Sequence, residues 1–84
     1  MNNVIMRRVL VTDTYQPLSN SKVVASVTLA CLPTNKKETY FRGDDGSDVP
    51  WVPGEYHDFW SVNLNEIVIK GTPGDVVTII GGTW

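Results

Sequence analysis

The sequence of 84 residues has a formal charge of −2, and its seven basic and nine acidic residues form no long block of either sign. This distribution argues against a basic nucleic-acid-binding arm and against a polybasic membrane anchor. Twelve Val, five Ile and eight Thr outnumber two Ala, and β-branched residues favour strands over helices. The composition therefore predicts a single all-β domain spanning residues 1–84.

The cysteine content and the first apolar stretch indicate where the chain is made. Cys31 is the only cysteine, so the chain has no internal disulfide, and we expect a reducing compartment. Arg7 and Arg8 interrupt the N-terminal apolar stretch, which predicts a strand rather than a signal peptide. No stretch approaches the roughly 18 consecutive apolar residues of a membrane span. We therefore expect an intracellular origin and no membrane partner.

Short apolar stretches separated by turn signals predict six to seven strands. Residues 22–32 show the cleanest alternation, whereas residues 4–12 carry apolar side chains on both faces. Trp51 lies between two prolines, which suits an edge strand. The remaining predicted segments are a loop over residues 13–21, strands over residues 38–42 and 55–62, and a terminal hairpin. This spacing indicates a small antiparallel β-sandwich or a jelly-roll-like, partly closed barrel.

Residues 65–82 contain the clearest turn signal in the chain. Pro73 presets φ near −65° at position i+1 of a type II turn, and Gly74 supplies the positive φ needed at i+2. The β-branched stretches on either side therefore predict a central β-hairpin. Its second arm is apolar on both faces, so one face must be covered by a crossing segment or by another subunit. The side chains concerned are those of Val76, Thr78 and Ile80.

The most acidic segment is residues 43–48, which contain Asp44, Asp45 and Asp48. Three carboxylates could begin a calcium site, but neither the order of an EF-hand loop nor its closing bidentate Glu is present. Asp and Gly are also the usual residues of hairpin turns. We predict a turn here, with no bound metal and no cofactor, and the cation site is the alternative.

The sequence shows no convincing catalytic constellation. His57 is the only histidine, and neighbouring residues on a strand point to opposite faces, so His57 and Asp58 do not converge. Cys31 lies on the apolar side of its strand, where a thiol is buried and inert. We therefore predict that the protein is not an enzyme.

Large aromatic residues are concentrated in the C-terminal half of the chain. Such rings either fill a thin core or, where they are exposed, mark a protein interface or a sugar-stacking surface. Basic residues are not interleaved with them, so we expect no single-stranded nucleic-acid partner. Residues 81–84 are expected to form a tail, either free or docked on a neighbouring subunit. The candidate interface residues are Trp51, Tyr56, Trp60 and Trp84.

The order of several motifs resembles short proteins encoded in the structural gene clusters of tailed phages and prophages. In those proteins a polar residue and Pro-Leu precede a strand, a Pro-Gly-Glu turn follows, and an Ile/Val-rich segment with Gly-Thr-x-Gly-Asp closes the chain. The resemblance spans residues 16–80. The acidic segment 43–48 and the tail 81–84 depart from the pattern. The motifs are QPL (16–18), VVASVTLA (23–30), PTN (33–35), YFRGDDG (40–46), VPGEY (52–56) and NLNEIVIKGTPGDVVTII (63–80).

The resemblance implies a non-enzymatic virion component, made in the host cytoplasm, such as a capsid decoration protein or a tail or neck accessory. It carries no catalytic residues. The expected partners are further copies of the chain, first as a trimer, because such decoration proteins often occupy three-fold positions, and a phage capsid or tail protein. The alternative is a small carbohydrate- or other ligand-binding module that uses exposed aromatic residues.

Overall fold

The computed structural model describes residues 3–83, in which eight β-strands are joined by turns, loops and one short 3-10 helix, Leu64–Glu66. The strands form two antiparallel four-stranded sheets, which we call sheet A and sheet B. In chain order the strands are β1 (Asn3–Leu10), β2 (Gln16–Pro17), β3 (Val24–Cys31), β4 (Thr39–Arg42), β5 (Val49–Trp51), β6 (Tyr56–Asn63), β7 (Val68–Lys70) and β8 (Val76–Thr83).

The strand order is that of a jelly roll. Sheet A has the order β1-β8-β3-β6 and sheet B the order β2-β7-β4-β5. Each early strand therefore pairs with the late strand that mirrors it: β1 with β8, β2 with β7, β3 with β6 and β4 with β5. The predicted all-β fold and the antiparallel sandwich are confirmed. The two sheets remain separate and do not close into a barrel.

The predicted terminal hairpin is wrong, although its turn is correct. Gly74 has a φ of +97°, and the Asp75 amide donates to the Thr72 carbonyl oxygen at 3.1 Å, as a type II turn requires. However, β7 belongs to sheet B and β8 to sheet A, so the turn carries the chain between sheets. The sequential hairpin of this fold is β4–β5, and the acidic residues 43–48 form its connection.

Most predicted strands are present with slightly shorter bounds. The one strand that was not predicted is β2. It lies within the predicted loop over residues 13–21, and its Pro17 lies opposite Val68. Since proline has no amide hydrogen, β2 is held beside Pro17 by the Leu18 amide, which donates to the Ile67 carbonyl oxygen at 2.9 Å. Residues 81–83 of the predicted tail belong to β8.

The core lies between the inner faces of the two sheets. Phe41 and Trp51 of sheet B stack with ring centroids 3.7 Å apart, and Trp51 lies parallel to Phe59 of sheet A at 6.3 Å. Leu29 and Ile79 of sheet A are fully buried. At roughly 25 cal/mol per Å² of apolar area, such side chains supply most of the stability of a small domain.

Two crossovers between the sheets are tied together at one end of the sandwich. The buried amide of Asn35, in the β3–β4 crossover, donates to the Val76 carbonyl oxygen and accepts from the Val76 amide, both at 2.9 Å. Asp75, in the β7–β8 crossover, accepts from the Lys36 amide at 2.9 Å and the Lys37 amide at 3.3 Å. These bonds satisfy the Val76, Lys36 and Lys37 amides and join the two crossovers.

Candidate interaction surface on sheet A

Exposed apolar side chains are concentrated on the outer side of sheet A. Nine large hydrophobic side chains are exposed in the described residues, and seven of them lie on the face of sheet A that points away from the core. Met6 and Trp60 have exposed fractions of 74% and 73%. We call this surface the apolar face. Its large residues are Val4, Met6, Leu10, Val24, Tyr56, Trp60 and Ile80.

The strand register arranges this face in rows. Residues directly opposite each other in an antiparallel sheet share a face. Two neighbouring rows, read from β1 across to β6, are Met6, Ile80, Thr28 and Asp58, followed by Arg8, Thr78, Ala30 and Tyr56. The charged members of these rows, Arg8 and Asp58, therefore lie at opposite edges of the same face.

A β-bulge interrupts β6 at Trp60 and Ser61. Between Ala25 and Val27 the register shifts, so that Trp60 and Ser61 both lie opposite Ser26. Ser61 has a φ of 52°, and its amide donates to the Ser26 hydroxyl oxygen at 3.0 Å. Bulges of this kind redirect side chains at sheet edges. Trp60, on the outer face, lines a shallow surface depression together with Asp58.

The edges of sheet A are long and lack proline. β1 pairs with β8 alone and β6 with β3 alone, so in residues 3–83 each of these eight-residue strands has one unpaired edge. Unpaired edges of this length invite pairing with another chain unless they are blocked. The edges of sheet B are two and three residues long and contain Pro17 and Pro50, which are residues that block pairing.

The outer face of sheet B is polar and internally bonded. The Arg42 Nε lies 2.6 Å from Asp48 Oδ1, and its guanidinium lies 3.8 Å from the ring centroid of Tyr15. The Tyr15 hydroxyl also donates to Asp48. Hydrogen bonds from Tyr15 and Arg42 lower the pKa of Asp48, whereas burial and the neighbouring Asp48 raise the pKa of Tyr15. Three polar side chains of this face are therefore bonded to one another.

The predicted interface residues differ in location and exposure. Trp51 is only 5% exposed and belongs to the core, so its assignment to an interface is wrong for this fold. As the inward-facing residue of β5, it stacks on Phe41. Tyr56 and Trp60 lie on the apolar face with large exposed fractions, and their role as interface residues stays a prediction. Trp84 lies outside the described residues.

Sequence reasoning missed the aliphatic part of the apolar face. Val4, Met6 and Leu10 share one side of β1, and Ile80 lies beside them on β8. A signal was present, because both faces of the first strand are apolar and only one can face a core. The pattern did not show which of the two faces would be exposed.

The structure also shows the local surroundings of the acidic turn, Cys31 and His57. Asp45 accepts from the Ser47 amide at 2.9 Å, which confirms the predicted turn, and this bond lowers the pKa of Asp45. Cys31 is buried as predicted, and burial raises the pKa of its thiol. His57 lies 2.7 Å from Glu55, and this contact lowers the pKa of the Glu55 carboxyl.

Further observations concern metal ions, membranes and relatives. Within residues 3–83, no three His, Cys, Asp or Glu side chains are grouped as a metal site would require. No helix in that part of the chain is long and apolar enough to cross a membrane. Comparisons of the chain with protein-family models, curated proteins and solved structures yield no match.

Proposed function

We propose that the protein is a non-enzymatic structural component of a tailed-phage or prophage virion. In this proposal it associates with copies of itself and packs through the apolar face of sheet A on a capsid or tail protein. The observation that carries the proposal is the apolar face, which exposes seven large hydrophobic side chains on one sheet. Exposed apolar side chains concentrated on one face mark interaction sites in soluble proteins.

The composition of the face argues for a protein partner. An antiparallel sheet with one solvated side normally alternates apolar residues inward with polar residues outward. β1 departs from this rule, because Val4 and Met6 point outward on either side of the inward-facing Ile5. The face also carries Trp60 and Tyr56, and tryptophan and tyrosine are enriched among the residues that dominate binding energy.

The viral context is supported by the motif resemblance and by analogy of fold. Jelly rolls with eight strands occur in viral capsid proteins as well as in lectins and cupins. Because one fold serves many functions, the analogy is associational. We expect a capsid or tail gene beside the gene that encodes this chain.

Two lysine substitutions at equally exposed positions test the role of the apolar face. Leu10 on this face and Val52 in the turn between β5 and β6 have exposed fractions of 58% and 57%. In sedimentation velocity at about 50 µM, we expect the wild type to be oligomeric, with Leu10→Lys weakening association about tenfold or more. Val52→Lys is expected to behave as the wild type. A monomeric wild type, or equal effects of both substitutions, would contradict the proposal.

The second candidate function is carbohydrate binding, and the depression beside Trp60 favours it. This depression of about 210 Å³ is lined by Trp60, Asp58, Ser26 and Thr28, among other residues. An exposed ring next to such hydrogen-bonding groups suits a stacked sugar. Titration of simple sugars against intrinsic fluorescence tests this function. A saturable shift that Trp60→Ala abolishes and Val52→Lys preserves would establish sugar binding in place of the structural role.

A further inference from the structure

We propose that copies of the chain associate edge to edge, with β1 of one copy pairing antiparallel with β6 of the next. This proposal rests on the self-association proposed above and specifies its geometry. Sheet A then continues from one copy into the next, with all apolar faces on the same side. The proposed register places Arg8 opposite Asp58, Met6 opposite Trp60 and Leu10 opposite Tyr56.

The outward backbone groups of β1 can be identified from its bonds to β8. The Val11 amide, just beyond β1, donates to the Asp75 carbonyl oxygen at 2.9 Å, so odd-numbered residues direct their amides towards β8. The Leu10 carbonyl oxygen points away from β8 and accepts from the Gln16 side chain at 3.2 Å. Because bonding directions alternate along an antiparallel strand, Val4, Met6 and Arg8 present their amide and carbonyl groups at the open edge.

The same reasoning identifies the open groups of β6. The Glu55 carbonyl oxygen accepts from the Cys31 amide at 2.9 Å, so odd-numbered residues at this end of the strand face β3. Tyr56 and Asp58 therefore direct their backbone groups away from β3. The residues with outward backbone groups on both edges are also those whose side chains lie on the apolar face. Pairing the edges thus brings two rows of the same face together.

Strand direction permits this pairing without turning a copy over. Neighbouring strands in sheet A are antiparallel, so β1 and β6, at opposite edges of four strands, run in opposite directions. The next β1 can therefore follow β6 in an antiparallel pair and keep its apolar face on the same side. The contact joins two different edges, so it produces a closed ring or a filament.

Charge distinguishes this arrangement from pairing between two copies of β1. Arg7 and Arg8 are the charged residues of β1, so two β1 strands would place four arginines on one ribbon without an acid. Like charges in close cross-strand positions destabilise a sheet, whereas opposite charges stabilise it. β6 supplies Asp58, whose carboxylate already accepts from the Thr28 hydroxyl and is held on the apolar face. The basic edge at β1 and the acidic residue at the β6 edge are therefore complementary in charge.

Charge exchange tests the register. We expect Arg8→Asp and Asp58→Arg each to weaken association about tenfold or more in sedimentation equilibrium, and the double variant to recover most of the wild-type affinity. Single variants that associate as tightly as the wild type would overturn the edge pairing but leave self-association standing. A monomeric wild type at about 50 µM would overturn both. A double variant no tighter than the weaker single variant would also overturn the register.

Cysteine cross-linking gives a second test that does not depend on charge. Directly opposed residues have Cα atoms about 5.5 Å or less apart, within the range that a disulfide spans. Oxidation of an Arg8→Cys/Asp58→Cys double variant is expected to give a ladder of covalent multimers, with buried Cys31 as unreactive background. Arg8→Cys paired with Asp44→Cys is the control and should give no ladder. Efficient dimer formation by Arg8→Cys alone would indicate β1–β1 pairing and overturn the proposal.

Discussion

The two sheets treat their solvent sides in opposite ways. Sheet B covers its outer face with polar side chains bonded to one another, among them Arg42, Asp48 and Tyr15, and its short edges contain proline. Sheet A exposes large apolar side chains and two long unpaired edges. The same sandwich thus has one polar outer face with short edges and one apolar outer face with long unpaired edges. The exposure of large apolar side chains is therefore concentrated on sheet A, whereas sheet B covers its outer face with polar ones.

The largest expected effect contrasts the two faces of β8. Ile79 is fully buried and Ile80 is exposed, although they are adjacent residues of the same type. Ile79→Ala should lower the free energy of unfolding by about 4 kcal/mol, because it leaves a cavity between the sheets. Ile80→Ala should change it by less than about 0.5 kcal/mol in monomeric protein. Urea unfolding at low protein concentration measures both, and similar losses would mean that the apolar face is covered in the folded monomer.

The next effect concerns the close approach of strands in sheet A. A Cβ atom on Gly81 would lie 2.0 Å from the Ser26 carbonyl oxygen and 2.7 Å from the Val27 Cα. These are backbone atoms, so Gly81→Ala should destabilise the fold by about 3 kcal/mol. Gly43→Ala, beside sheet B, is the matched control, since its Cβ would meet no atom within 4 Å. Equal melting temperatures for the two variants would show that β8 and β3 separate without strain.

An intermediate effect is expected where the sheets are joined. Asn35→Ala removes both side-chain hydrogen bonds to Val76 and leaves the buried Val76 amide without a partner, whereas the Val76 carbonyl oxygen still accepts from the Leu32 amide at 3.3 Å. We expect a loss of about 2 kcal/mol in the free energy of unfolding. Replacement of the exposed Asn20 by Ala is the control. A loss no greater than that of the control would mean that water or a rearranged loop satisfies Val76.

The smallest expected effect on stability concerns Asp48 on the polar outer face of sheet B. The pKa of Asp48 is lowered in the folded state, so its ionised form stabilises the fold above the unfolded pKa of about 3.9, and this contribution is lost as pH falls through the folded value. Asp48→Asn should therefore slightly lower the melting temperature at pH 7 and flatten its decline below about pH 4. Asp44→Asn, in the same loop, is the control. Parallel pH profiles for the wild type and Asp48→Asn would contradict this assignment.

Local turn chemistry could be predicted from the sequence, but the pairing of strands could not. The positive φ values of Gly54 and Gly74 follow from the preceding prolines, and both turns are present. Yet a type II turn specifies only the direction of four residues. Whether its arms pair with each other or enter different sheets depends on contacts far along the chain, such as those of β1 with β8. The terminal hairpin was wrong for this reason.

The candidate site was predictable in part for a similar reason. The common side of Tyr56 and Asp58 follows from alternation along a strand. Trp51 has the same aromatic character, but in the short edge strand β5 the prolines on either side leave no pattern that indicates which side faces the core. Trp60 lies on the same side as Tyr56 and Asp58, as alternation along the strand predicts, whereas no local residue pattern indicated the bulge that follows it opposite Ser26.

The pairing of β1 with β8 has a consequence for biosynthesis. Asn3 and Thr83 meet across 80 residues of chain, so β1 leaves the ribosome well before its partner strand exists. At about 5–20 residues per second, this delay amounts to roughly 4–16 s. During that time β1 has two unpaired edges and apolar residues on both sides. Arg7 and Arg8 interrupt this apolar pattern. Charges within an unpaired strand oppose its aggregation, which matters here while the partner strand is still being synthesised.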